Sequence, residues 1–417
     1  MTLELSPFVH YFVDSDSIIL FNTLNKSVVC TETESFDNTR FIGTEIDAQT
    51  LLKLGFLVTN RDVEWLKFLE FTKKYVSSKA LRIHFLPTTR CNCRCYYCFE
   101  NSIARQTMSE EVLQDSLTMI DEYVRSNDID SLEIELFGGE PLIEIGIIKR
   151  FLDPICKLCN NLGIKLRLSM TTNGYLLNEE NCRLLIGYGL SHLQITLDGD
   201  RPYHDSVRHL VSGAPTFSTI ISNIHRIKRI DESVSITVRL NYSKNNISCV
   251  KNVIHFLNNE FEPKSINLTL APITGGESSI QENHKDWAHS HIELHRCALS
   301  HGFNLPHYYT YCGMCVPKLI NSFVISPDGR LYKCTELMDN VHGSMTVKNG
   351  YEKHVLLDIN RLSECYEKQC PFIPLCYGGC IAQSKHRDLD MDCHKDLIRE
   401  INEQLIIDRL HNNHLGI

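Results

Sequence analysis

The sequence predicts an α/β fold: a partial, open barrel of six βα units, with a small N-terminal module before it and a cysteine-rich domain after it. Three observations predict this. Short β-branched apolar runs alternate with amphipathic stretches through the middle of the chain. Residues 1–76 follow a different rhythm of short strands and two helices, and from residue 305 the alternation stops while cysteines accumulate. At 417 residues the chain exceeds one compact core and calls for several domains.

In the first module, residues 11–13, 17–21 and 27–30 read as strands, with turn chemistry at residues 14–16 and at Asn25. A helical stretch (47–54), a strand-like run (56–58) and an amphipathic helix (63–75) complete a winged-helix-like unit. The barrel, residues 77–304, has strand-like runs at 81–86, 132–137, 166–170, 193–197, 234–240 and 266–270. Helical patterns fill the gaps, as at 110–124 behind the N-cap candidate Ser109, at 147–158 and at 217–230. Such repeats predict parallel strands joined by right-handed crossovers, and six units are too few to close an eight-fold barrel. The mouth then lies at the strand C-termini. Residues 305–417 are loop-rich up to Cys393 and end in a helix over 395–410.

A net charge of −9 argues against a nucleic-acid surface, and no apolar run is long enough to span a membrane. The N-terminus shows no secretory pattern, which places the chain in the cytoplasm. Eighteen cysteines in a reducing compartment point to metal sites rather than disulfides. Cys30, Cys156, Cys159, Cys182, Cys249 and Cys297 are scattered and read as small buried hydrophobes.

The chemistry is concentrated at the strand ends. After the first strand, Cys91, Cys95 and Cys98 are spaced C-x3-C-x2-C, one thiolate short of the four that close a [4Fe–4S] cluster, so one iron keeps an open position. Tyr97 sets an aromatic ring beside them. The second strand runs into Gly138, Gly139, Glu140 and Pro141. There the glycines allow close backbone approach, and the Glu140 carboxylate or nearby carbonyls can accept from an ammonium. Thr172 and Asn173, Asp198, and Arg239 follow on the next three strands and offer hydroxyl partners, an acid at a turn and a fork for a carboxylate. Taken singly, each also reads as a turn, a cap or a surface ion pair. As an ordered series they meet the recognition needs of S-adenosylmethionine (SAM).

On these residues the chain resembles the radical SAM enzymes, over roughly residues 80–300. Cys91, Cys95, Tyr97 and Cys98 match the family's C-x3-C-x-aromatic-C motif, and Gly138 to Pro141 match GGEP. The resemblance implies SAM bound to the open iron, contacts from GGEP to the methionyl amino group, and Thr172, Asn173 and Arg239 toward ribose and carboxylate. Cys93 falls inside the motif as a bystander. The C-terminal cysteines are similar to a SPASM domain with two auxiliary [4Fe–4S] clusters. It implies Cys312, Cys315, Cys334 and Cys380 for the first, and Cys365, Cys370, Cys376 and Cys393 for the second, three clusters in all. Cys365-x4-Cys370 departs from the usual C-x2-C, Cys297 is an alternative to Cys312, and a structural zinc domain is the competing reading. The N-terminal module resembles the PqqD-like recognition element of enzymes that modify ribosomally made peptides. The implied reaction abstracts hydrogen from a precursor peptide bearing a leader, by a 5′-deoxyadenosyl radical, and forms a carbon–carbon or thioether cross-link. An external electron donor such as a flavodoxin or ferredoxin would reduce the cluster. An anaerobic sulfatase-type maturase and a non-catalytic iron–sulfur carrier are the alternatives.

Overall fold

The computed structural model describes residues 3–32, 36–37, 40–41, 48–273, 284–310, 315–338, 345–349, 359–386 and 393–411. Cys312, an expected ligand, lies outside the described residues. The chain forms two compact units: one comprises Met1–Ser78, Pro306–Ile320 and Val355–Ile417, the other Lys79–Leu305 and Asn321–His354.

The first unit begins with β1 (Glu4–Leu5), β2 (Val9–Asp14), β3 (Ser17–Asn22), β4 (Val28–Glu32), β5 (Phe36–Asp37), β6 (Arg40–Phe41), α1 (Ala48–Lys53), β7 (Leu57–Val58) and α2 (Arg61–Val76). β2, β3 and β4 make an antiparallel sheet with β3 in the centre, where its apolar run Ile18, Ile19, Leu20 and Phe21 is buried. The Asn60 side chain caps α2 by accepting from the Val63 amide at 2.9 Å.

The second unit runs β8 (Ala80–Phe85), α3 (Glu110–Ser126), β9 (Ser131–Leu136), α4 (Ile145–Leu162), β10 (Lys165–Thr172), α5 (Glu179–Gly187), β11 (Leu190–Leu197), α6 (Arg201–Val207), α7 (Phe217–Ile230), β12 (Ser235–Tyr242), α8 (Ile247–Glu260), β13 (Asn267–Pro272), α9 (His284–Ser300), β14 (Ser322–Ile325) and β15 (Leu331–Tyr332). The sheet order is β13-β12-β11-β10-β9-β8-β14-β15, and β8 to β13 are parallel neighbours in chain order. These are the six βα units that the sequence predicts. Ser109 caps α3 as expected, accepting from the Val112 amide at 3.2 Å.

Alternation along the strands separates two faces. Ile83, Phe85, Ile134, Leu136, Leu168 and Met170 are buried, and Phe85 stacks on Phe151 of α4 at 3.7 Å. The other face carries a polar ladder: Arg82 and Arg167 both donate to Glu133, at 2.7 and 2.9 Å, and Thr171 donates to Glu135 at 2.7 Å.

β14 pairs parallel with β8 and β15 returns antiparallel, which extends the sheet past its first strand. Residues expected to form one domain from 305 onward are therefore shared: Asn321–His354 belongs with the barrel, the flanking segments with the first unit. Those segments supply α10 (Ile359–Glu367), α11 (Ile373–Cys376), α12 (Ile381–His386) and α13 (Lys395–His411). Phe8, Trp65, Phe68 and Val76 share a core with Leu362 and Ile373. Trp65 stacks flat on Tyr366, 4.5 Å between centroids and 5° between planes, and the Tyr366 hydroxyl donates to Asp62 at 2.7 Å. The N-terminal module and the cysteine-bearing helices are thus one hydrophobic body.

Candidate functional site

The expected site residues of the barrel end or follow their strands, except Arg239, which lies within its strand three residues before the end. The cysteine loop follows β8, Gly138–Pro141 follows β9, Thr172 ends β10, Asp198 follows β11, and Arg239 lies near the end of β12.

The cysteine loop is pinned before it reaches its first thiol. The Thr88 and Thr89 hydroxyls donate to the carbonyls of Gln106 and Ala104, at 2.8 and 2.7 Å. The Cys98 amide bonds back to Cys95 O at 3.3 Å, and Asn101 Nδ2 donates to the same carbonyl at 3.2 Å. On the other side, residues 92–94 pair with a short extended segment: Arg94 N–H donates to His209 O at 3.0 Å and Val211 N–H to Asn92 O at 2.8 Å.

The glycines of GGEP are dictated by proximity to this loop. A Cβ on Gly138 would lie 2.3 Å from Thr88 O, and one on Gly139 2.3 Å from Arg90 O. Only glycine lets these backbones touch, and Gly138 also has φ +119. The contact is held by Glu140 N–H donating to Arg90 O at 2.9 Å.

Glu140 is fully buried, and its carboxylate accepts three donor hydrogens from inside the protein, the Thr172 hydroxyl being shared between its two oxygens. Oε1 accepts from Leu142 N at 3.2 Å and Thr172 Oγ1 at 2.8 Å; Oε2 accepts from the same hydroxyl at 2.9 Å and from Asn173 N at 2.8 Å. The Thr172 hydroxyl is spent on Glu140, while Asn173 Nδ2 donates to Asn92 Oδ1 at 2.7 Å. In this structure these three groups tie β9, β10 and the cysteine loop together. Burial raises the Glu140 carboxyl to about 7, against donors that lower it.

Beyond them lies a buried network. The Tyr97 hydroxyl donates to Asp198 Oδ2 at 2.6 Å and accepts from Arg208 Nη1 at 2.6 Å and Asn241 Nδ2 at 2.9 Å. Asn241 also reaches Asp198 Oδ1 at 3.2 Å, and Arg239 Nε donates to Asn241 Oδ1 at 3.0 Å. Burial raises the Asp198 carboxyl and the Tyr97 phenol and lowers Arg239. Burial also opposes the Arg208 charge, but the surrounding thiols, Tyr97 and Asp198 hold its pKa above the usual value. Arg208, Asn241 and the buried Glu100 are site residues that the sequence reading passed over. Arg208 sits outside any strand end, and only Glu100, two residues past Cys98, carried a positional hint.

The thiols differ in ionisation. A hydrogen bond from the Cys93 thiol, reinforced by its amide at 3.4 Å, brings Cys91 down to about 6 against the opposing effect of burial. The Cys93 thiol is itself pushed up by that bond, while burial pushes Cys95 to about 12 and raises Cys98. Among the described residues no three His, Cys, Asp or Glu side chains converge as ligands of one ion. A [4Fe–4S] cube needs no such convergence, because each thiolate takes a different iron. Three thiols on one pinned loop, a glycine cradle that any Cβ would fill and an unpartnered buried carboxyl fit such a cluster and SAM.

In the first unit, burial raises the thiols of Cys365, Cys370 and Cys376, and Cys376 is within electrostatic reach of Cys365, Cys370 and Cys393. Cys315 is in reach of Cys380, and the buried Lys318 ammonium donates to Cys376 O at 3.0 Å. Cys334 precedes a short 3-10 turn, Thr335–Leu337, of the barrel unit.

With this geometry in place, comparison with known proteins places the chain. Residues 85–257 match the model of the radical SAM superfamily. The chain carries a radical SAM domain and is a radical SAM superfamily enzyme, a class that works with SAM and a [4Fe–4S] cluster. It is 22% identical to the radical SAM cyclopropyl synthase TigE of Paramaledivibacter caminithermalis, over 94% of this chain and 90% of that protein. Its fold is similar to anSMEcpe with bound AdoMet and Kp18Cys peptide (TM-score 0.64, 20% identity, 81% of this chain and 100% of the other). It is similar also to Streptococcus suis SuiB bound to precursor peptide SuiA (TM-score 0.52, 14% identity, 95% and 100%). Among the described residues no helix is long and apolar enough to cross a membrane.

Proposed function

We propose that this enzyme modifies a ribosomally made precursor peptide, forming a carbon–carbon or thioether cross-link within it. The observation that carries the reading is that a three-stranded sheet with an edge strand and the distal cysteines belong to one unit. β2 lies at an edge of its three-stranded sheet with Tyr11 and Val13 exposed, an arrangement to which a leader could add as an extra strand. The same unit holds Cys365, Cys370, Cys376 and Cys393, proposed ligands of one auxiliary cluster. Cys312, Cys315, Cys334 and Cys380 are the proposed ligands of the other. TigE is named a cyclopropyl synthase, and SuiB and anSMEcpe are bound to peptides, which supports a peptide substrate here.

In the barrel, Cys91, Cys95 and Cys98 would hold the SAM-binding cluster, whose reduced form supplies the electron that splits SAM to a 5′-deoxyadenosyl radical. The protein's own part is to position and to exclude water. The Gly138–Gly139 backbone shapes the floor beside the cysteine loop. Tyr97, held on three sides by Asp198, Arg208 and Asn241, keeps its ring fixed next to Cys98.

The test is anaerobic reconstitution with iron and sulfide, dithionite and SAM. The wild type should release 5′-deoxyadenosine and Cys95→Ala should not; a competent cluster without that product would refute the catalytic reading. Mass spectrometry of a co-expressed candidate precursor should show a loss of two hydrogens. An unmodified peptide with intact 5′-deoxyadenosine release would refute cross-linking of that peptide.

A further inference from the structure

We propose that the buried ammonium of Lys318 raises the reduction potential of both auxiliary clusters, acting on Cys315 of one and on Cys376 of the other. The proposal rests on the auxiliary-ligand reading given above and concerns a residue outside both ligand sets.

Lys318 and the two thiols lie in the first unit. Cys315 directly precedes the 3-10 turn Val316–Lys318, and the Lys318 amide donates to Cys315 O at 2.9 Å. Lys318 is 1% exposed, and its Nζ donates to Cys376 O at 3.0 Å. One buried lysine is thus bonded to the main chain of a proposed ligand from each set.

The surroundings of Cys376 favour negative charge. Tyr377, Gly378 and Gly379 follow it with φ of 47, 81 and 90. Turns of this kind gather successive amides into an anion-binding concavity. Here the Gly378 and Gly379 amides face the Cys376 sulfur, and Gly379 N–H also donates to Cys376 O at 3.1 Å. Burial raises the Cys315 and Cys376 thiols, and the Lys318 charge draws both back toward the ionised form.

A cluster held by thiolates becomes one charge more negative on reduction, so a fixed cation beside its ligands favours the reduced form. Burial makes that cation effective. At an effective dielectric of about 20, a unit charge about 12 Å from an added electron changes the equilibrium about tenfold, whereas water and salt screen an exposed one. Lys395 is the contrast, since it acts on Cys370 from an exposed position. Removing two hydrogens from a peptide sends one as an atom to the 5′-deoxyadenosyl radical and one as a proton to water. The electron left behind needs an acceptor, and an oxidised [4Fe–4S] cluster of raised potential takes it more readily.

The test is a redox titration, read by electron paramagnetic resonance, of the full-length chain reconstituted anaerobically. Cys95→Ala serves as the parent, so that the signals come from the auxiliary clusters. Lys318→Gln removes the charge and keeps a donor for Cys376 O. It should lower both midpoint potentials by about 59 mV, the one-electron equivalent of tenfold. Lys318→Arg keeps the charge, and it and Lys395→Gln should both stay within about 18 mV of the parent, a twofold change. Lys318→Gln that keeps its iron and both potentials overturns the proposal. A shift in one couple only overturns the shared role, and an equal drop in Lys395→Gln overturns the argument from burial. Loss of iron in Lys318→Gln, with Lys318→Arg normal in iron and potentials, supports the need for the charge. Loss of iron in both makes Lys318 a structural residue and overturns the proposal. The parent should hold about eight irons per chain; one cluster or none refutes the auxiliary-ligand reading itself. Eight irons with unmoved potentials overturns only the role of Lys318.

Discussion

Replacing Gly139 with alanine tests whether GGEP exists to let two backbones touch. The new Cβ would meet Arg90 O at 2.3 Å, Arg90 C at 2.6 Å and Thr89 O at 2.7 Å, all main-chain atoms of the cysteine loop. No rotamer change relieves such a clash. Restoring a contact of 3.4 Å requires the loop and the residues after β9 to part by roughly 1 Å. Glu140 N–H to Arg90 O and Gly139 N–H to Thr88 O, now 2.9 and 3.3 Å, would both break. Overpacking costs about 1–3 kcal/mol and each of the two lost bonds about 1 kcal/mol, which together give about 3–5 kcal/mol. For a unit of this size that lowers Tm by about 6–20 °C. The assay is thermal unfolding by circular dichroism, with iron content after reconstitution as the second readout. Gly187→Ala is the control, because a Cβ there meets nothing within 4 Å. Gly139→Ala with an unchanged Tm and full iron content would refute the argument.

Removing the Tyr97 hydroxyl strands Asp198, Arg208 and Asn241 at once, so Tyr97→Phe should cost about 1–3 kcal/mol by denaturant titration. Its effect should be less than additive with that of Asp198→Asn; strict additivity would mean that the two do not interact. His204 and His291 are each lowered by burial to about 3 from an ordinary 6.5. The unfolded chain therefore binds more protons between those values, and the stabilisation present above pH 6.5 is lost as pH falls toward 3. At pH 5.5 each histidine should cost about 1.4 kcal/mol relative to neutral pH. His291→Gln should flatten the pH dependence of the denaturation midpoint by that amount. Cys376→Ala should lower the iron content by one cluster, about four per chain, whereas Cys93→Ser should retain full iron. The reverse pattern would exchange a ligand for a bystander.

Much of the barrel was legible because its signals are local. A β-branched run, a capped amphipathic stretch such as that behind Ser109, and three thiols within one loop are each contained in a few consecutive residues. β14 was not legible. It is only four residues long, and its place beside β8 depends on a partner some 240 residues earlier in the chain, as in the Ser322–Arg82 register pair. The site was legible in its composition but not in how its hydrogen bonds are shared out. Glu140 reads from sequence as a ligand acceptor, and its actual partners, Thr172 and Asn173, are 32 and 33 residues away. Arg208 reaches Tyr97 across 111 residues.

The sequence by itself determined the six βα units, the open-sided cysteine loop and the polar residue that ends each strand. Spacing along a chain dictates secondary structure and groups ligands that share one loop. The tertiary structure alone decided which of those polar groups are spent inside the protein and which are left over. It also decided that α2 shares its core with α10 and α11, so that the N-terminal sheet and the distal cysteines belong to one body. Burial and lone-pair occupancy depend on atoms brought together across hundreds of residues, and no local pattern encodes them.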